Sequence, residues 1–237
     1  MVNALGSVQT NGSSASPGSY TVRDLRRRWK PLKERLLATQ KDHSTPIRFH
    51  RACSWLQRAE ELGDADDDLK LLSLWIGFNA LYGQWDPGRM QPLPDRETWR
   101  TFLDRILVLD STGHVTTVLQ DHKPLVMRLL EDEYLSSYFW EDPGPQRAGK
   151  SRRAMFDARS WYLEGRWSPI VDRLVDRIYL QRCQLAHGAA THGGQLNRKT
   201  LRRCVMMLSH LMTGVLLALT DHGAEEDWGP MCYPPLT

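Results

Sequence analysis

The stretch Ser168 to Gly188, SPIVDRLVDRIYLQRCQLAHG, decides how the chain reads, because it is an apolar helix that ends in an arginine, a histidine and a glycine. Ser168 suits an N-cap, Pro169 suits the first helical position where no N–H is needed, and Asp172 lies in the first turn, where the helix dipole favours an anion. Gly188 supplies a residue able to take the left-handed conformation that closes a helix. Between these ends Val171, Leu174, Val175, Ile178 and Leu185 recur at helical spacing. Arg182 falls four residues after Ile178 and three before Leu185, inside that stripe, where a guanidinium needs a partner. In one reading Arg182 snorkels or is ion-paired, and His187 is a polar residue near a helix end. In the other, Arg182 binds a phosphate bidentately and His187 moves a proton near neutral pH. Five residues of helix turn the two about 140° apart, so a shared site needs the helix end or a second copy of the helix.

Arg182-Cys-Gln-Leu-Ala-His187-Gly188, on the penultimate long helix of an α-helical chain, resembles the arginine-x(4–6)-histidine motif of the HEPN superfamily (higher eukaryotes and prokaryotes nucleotide-binding domain). The run LLSLWIGFNALYG, Leu71 to Gly83, is similar to the Trp/Phe/Asn helix of bacterial HEPN proteins related to the abortive-infection group. The resemblance extends from about Thr45 onward. It implies an all-α, HEPN-like bundle, a homodimer, and a metal-independent endoribonuclease of bacterial defence or toxin type. Arg182 and His187 would be its catalytic residues, with an antitoxin or defence protein as a further partner. Cys183 stands where the ribonuclease members carry Asn, Asp or His, and the tyrosine that a nucleotidyltransferase antitoxin would modify is replaced by Gly188-Ala-Ala-Thr191. The rival reading is a catalytically silent module that binds RNA, a nucleotide or a protein.

The bulk composition is compatible with one domain: 237 residues, 41% hydrophobic, with a net charge of +3 too small to mark a nucleic-acid binder by itself. Cys53, Cys183, Cys204 and Cys232 are widely spaced, form no Cys-x-x-Cys pair and accompany no secretory pattern, which fits a reducing cytoplasm. Residues 1–22 read as a disordered tail. Residues 23–44 read as a basic helix, since RDLRRRWKPLKERLLATQK carries eight basic and two acidic side chains. Arg26, Arg27 and Arg28 would contact RNA phosphates and Trp29 would stack on a base. The competing reading is an amphipathic helix that packs Leu25, Leu32, Leu36 and Leu37, kinked at Pro31.

The helical domain is expected over 45–222, with 84–167 as an inserted helical region and 223–237 as an irregular tail containing Pro230, Pro234 and Pro235. Thr45-Pro46 starts one helix, and the acidic turn Asp64 to Asp68 reads as the cap of the next. On that next helix Trp75, Phe78, Asn79 and Tyr82 share a face. Asn79 either satisfies a neighbour or, with Cys183, supports Arg182 or His187 from behind. Pro124 to Tyr138 reads as one amphipathic stretch. EDPGPQRAGKSRR, from Glu141, reads as a flexible loop whose Arg152 and Arg153, followed by Trp161 and Trp167, suit single-stranded RNA. Asn197 is a plausible cap for the last helix. Cys204 to Thr220 carries no charge over seventeen residues, and Ser209, His210 and Thr213 mark it as a buried bundle or dimer helix rather than a membrane span. His187 and His192 lack neighbouring Cys or carboxylate in sequence, so neither a metal nor any other cofactor is expected.

Overall fold

The computed structural model describes residues 20–195 and 197–234. The disordered tail expected at residues 1–22 lies outside the described residues as far as residue 19. From Tyr20 the chain is placed, and Thr21 caps α1 (Val22–Thr39) through a reciprocal pair with Asp24: the Asp24 N–H donates to the Thr21 hydroxyl and the Thr21 N–H to the Asp24 carboxylate. The helix runs through Pro31 without a break.

The architecture is all-α, apart from the antiparallel pair Trp85–Asp86 (β1) and Gln91–Pro92 (β2). α2 (Thr45–Leu62) and α3 (Asp67–Tyr82) form a tight hairpin. Gly77 permits the closeness, since a Cβ there would lie 3.2 Å from the Ala52 carbonyl oxygen and from the Leu56 side chain. α3 is buried on several sides, as its near-continuous apolar run requires.

The central element is α11 (Arg198–His222), whose residues from Leu211 to Thr220 are all buried. Among the described residues it is the one helix long and apolar enough to cross a membrane, yet 78% of the qualifying window is buried by its neighbours. α3, α5 (His114–Asp121), α1, α6 (Lys123–Glu131), α4 (Asp95–Leu109) and α10 (Trp167–Ala186) supply that cover.

Residues 84–167, read as an insertion, contribute Trp99, Phe102, Ile106, Val118 and Leu129 to this same core. Trp99 meets Trp75 at 5.7 Å between ring centroids and Tyr179 at 5.0 Å, so one aromatic cluster joins α3, α4 and α10.

Two local expectations need correction. Pro124 to Tyr138 is not one helix: α6 stops at Glu131, Asp132 caps a 3-10 turn over Glu133–Leu135, and α7 (Ser137–Glu141) follows. The region from Glu141 is not a loop. Pro145 opens α8 (Pro145–Ser151) at a position that needs no N–H, Ala148 and Ser151 are buried, and α9 (Arg153–Leu163) continues from there. The C-terminal segment lacks helix, as expected of its prolines, but it is fastened. Trp228 is buried, Gln84 bridges Met231, and Arg48 donates to the carbonyls of Trp228 and Gly229 as well as those of Leu81 and Gly83. Pro235 to Thr237 lie outside the described residues.

Candidate functional site at the end of helix α10

α10 begins at Trp167, one residue before the expected cap. Ser168 lies in the first turn and donates its hydroxyl to Asp104 instead of capping. Its apolar stripe docks as the spacing predicts, with Ile170, Val171, Leu174, Val175 and Ile178 fully buried. The stripe places a different guanidinium in the core. Arg177 is 3% exposed and donates to the carbonyls of Leu130, Asp132 and Ser151, and burial depresses its pKa to about 10. Arg182 is only partly buried, because the last turns of α10 project beyond the packed layer and Leu185 is itself only partly covered. Its guanidinium lies 5.9 Å from the Tyr179 ring centroid, and it has no ion pair or hydrogen bond among the described residues.

The C-terminus of α10 closes as the sequence predicts. Gly188 takes φ +71°, its N–H donates to Leu185, and the Ala189 N–H donates to Gln184, the paired arrangement that satisfies the last carbonyls. His187 is the C-cap and is exposed. It lines a groove of about 640 Å³ together with Cys183, Gln181, Trp140, Asp68 and Arg198. The opposite wall is tied to α10 by the Tyr134 carbonyl, which accepts from Gln184 and from the Trp140 indole. Two buried acceptors in residues of this groove, Asp68 Oδ1 and Gln181 Oε1, have no hydrogen-bond partner among the described residues. Arg182 does not line the groove, as the rotation along the helix requires.

Other expected site residues are not brought here. Asn79 is exposed, beside Ile76 and Ala80, and borders a separate pocket with Arg51 and Tyr233. Its expected supporting role behind Arg182 is therefore corrected, although Trp75 on the same helix does reach α10, 5.4 Å from Tyr179, while Phe78 and Tyr82 meet Phe102 and Trp99 of α4. Trp29 is no stacking platform for a base: it is 3% exposed and stacks on Phe49 at 4.6 Å. Arg26 donates to Gln57, Arg27 approaches Asp24 at 3.9 Å, and Arg28 grips both oxygens of Asp221. Asp221 and Arg198 stand at opposite ends of α11, about 35 Å apart by helical rise, so Arg28 is remote from the groove. Arg152 and Arg153 diverge. Arg152 is exposed and approaches Glu133 at 3.5 Å, whereas Arg153 faces a second cleft along α10.

Space also corrects the sequence view of His192. Its Nε2 lies 3.0 Å from Asp66, and Asp68 is close by, so two carboxylates do accompany it. Hydrogen bonding to Asp66 raises the His192 pKa. The donors already present oppose a cation at this spot, because Asp68 Oδ2 is taken by the Gly193 N–H at 2.9 Å and the Arg198 guanidinium at 2.7 Å. Asp66 caps α3 through the Leu69 N–H, as read from the acidic turn. Asn197 sits at the N-cap of α11 but in the left-handed region, φ +56°, without a capping side-chain bond.

The sequence missed Gln181, Trp140 and Arg198 as groove residues. Nothing in their spacing marks them, since the groove forms where α7 and the start of α11 converge on α10. Against protein-family models, curated proteins and solved structures, the chain has no match.

Proposed function

We propose that the chain is a HEPN-like, RNA-cleaving protein that acts as a homodimer, with His187 as proton carrier and Arg182 as the phosphate-binding cation. One observation carries the reading: the same helix end presents an exposed histidine on the wall of a groove and, five residues earlier, a guanidinium with no ion pair among the described residues. RNA carries its own nucleophile. The 2′-hydroxyl attacks phosphorus, its proton passes to a base such as His187, and the 5′-oxygen leaves with a proton supplied by an acid. The products are a 2′,3′-cyclic phosphate and a 5′-hydroxyl. A guanidinium steadies charge on the phosphoryl oxygens through planar, paired hydrogen bonds. Since Arg182 stands outside the groove that His187 lines, the partner subunit would complete each site. The same separation favours a second reading, a binding module in which the groove holds RNA without cutting it.

The test is incubation of the purified dimer with structured and unstructured RNA in EDTA. Cleavage with those product ends is expected, and His187→Ala should lower it by about 10²–10⁴-fold without unfolding the protein. Arg182→Lys should be nearly as damaging as Arg182→Ala, because an ammonium cannot reproduce the guanidinium fork. Cys183→Asn should raise activity if the natural cysteine weakens the site. Folded, dimeric protein that binds RNAs but leaves them uncut with EDTA and with magnesium would replace this reading with the binding module.

A further inference from the structure

A second cleft, of about 510 Å³, lies between α7–α9 and α10, and meets the His187 groove at Ser137 and Leu180. Its lining holds five cationic side chains, Arg96, Lys150, Arg153, Arg173 and Arg177, against two carboxylates, Asp157 and Asp176. Such an excess repels cations and concentrates anions. Four donors in it lack acceptors among the described residues. Lys150 and Arg153 have no ion pair or hydrogen bond among the described residues, whereas the Ser151 hydroxyl and the Arg177 Nε–H are buried without a partner. Ser151 is 4% exposed, so its unmet hydroxyl is costly unless something enters to accept from it.

Asp176 arranges the cationic wall. Arg96 donates its Nε–H to Asp176 Oδ1 at 2.8 Å and brings a terminal nitrogen to the same distance as an ion pair, and Arg173 lies 4.0 Å from Oδ2. Oδ2 is buried and accepts no hydrogen bond from the described residues. A bare anion would leave that oxygen unmet and would be repelled by it. A ligand with a hydroxyl beside its anionic group meets both demands.

We propose that this cleft binds a phosphate monoester bearing a neighbouring free hydroxyl: the phosphoryl oxygens accept from Lys150, Arg153 and Ser151, and the hydroxyl donates to Asp176. The volume falls in the range of small-molecule sites. Two sources share this chemistry, a free sugar phosphate and the phosphorylated end of an RNA strand lying along the groove toward His187. The inference does not require His187 to be catalytic.

Calorimetric titration of the full chain at low salt with ribose 5-phosphate, ribose and inorganic phosphate tests it. Ribose 5-phosphate should bind, inorganic phosphate should bind more weakly, and ribose should not bind. Lys150→Ala, Arg153→Ala and Ser151→Ala should each weaken the sugar phosphate about tenfold, as expected for one lost charge-assisted hydrogen bond. His187→Ala should leave this affinity unchanged, which separates the inference from the cleavage reading. A short RNA with a 5′-phosphate that binds more tightly than its 5′-hydroxyl twin assigns the strand end as the source, and equal affinity of the two assigns the free ester. Absence of ribose 5-phosphate binding at millimolar concentration, or binding that survives Lys150→Ala combined with Arg153→Ala, overturns the proposal.

Discussion

Acidification should destabilise this protein through one histidine pair, His122 and His210, whose rings stack with centroids 3.8 Å apart and planes 14° from parallel. Burial, and secondarily the neighbouring His122, lower the pKa of His210 from 6.5 to about 4. The unfolded chain therefore binds a proton at His210 between those values and the folded chain does not, so stability falls as pH falls from 6.5 towards 4. From about pH 7.5 to about pH 5 the unscreened penalty is about 2 kcal/mol. His210 is only partly buried, and solvent screening reduces that to about 1 kcal/mol, or about 2–4 °C in melting temperature for a chain of this size. The assay is thermal unfolding by circular dichroism at both pH values, for the natural chain and for His210→Gln. Other groups titrate in both proteins, so the quantity to read is the difference between their pH-induced shifts. The variant should lose less stability on acidification by that amount. Equal shifts in the two proteins would refute the assignment of the penalty to this pair.

Arg48→Met should cost about 3–5 kcal/mol in chemical denaturation, because it removes the donor of a buried set of carbonyls drawn from α3 and the C-terminal segment. Trp29→Ala should cost about 3–5 kcal/mol by leaving a cavity beside Phe49, and its effect on RNA affinity should vanish once measured on folded protein. Asn79→Ala, at an exposed position, should change stability by less than about 0.5 kcal/mol and leave any RNA cleavage rate unaltered.

Helix periodicity made much of the bundle readable. The stripe of α10, the left-handed close at Gly188, the burial of the uncharged run Leu211 to Thr220 in α11 and the cap at Asp66 follow the local pattern of the sequence. Arg182 and Arg177 show where such rules stop. By spacing, Arg182 belongs to the packed face, but burial of a guanidinium depends on acceptors, and those at Leu130, Asp132 and Ser151 arrive from other helices to meet Arg177. Asn79 departs from its spacing in the same way: it shares a stripe with Trp75 and Phe78, yet the core ends one helical position short of it. The basic stretch at Arg152 and Arg153 was legible as charge but not as shape. Its helices, α8 and α9, are what turn Arg153 into a cleft wall while sending Arg152 to Glu133.

The acceptors of Arg48 also bear on the order in which the chain matures during synthesis. α2 and α3 are made early and can pair at once, since their contacts are local. Arg48 must nevertheless wait for the Trp228 carbonyl, 180 residues later, before its hydrogen bonds are complete. Until the ribosome has released that segment, the emerging hairpin carries a poorly satisfied cation that lacks the carbonyls of Trp228 and Gly229. A stalled or prematurely terminated chain should therefore present a recognisable defect at this corner, a ready mark for quality-control proteases.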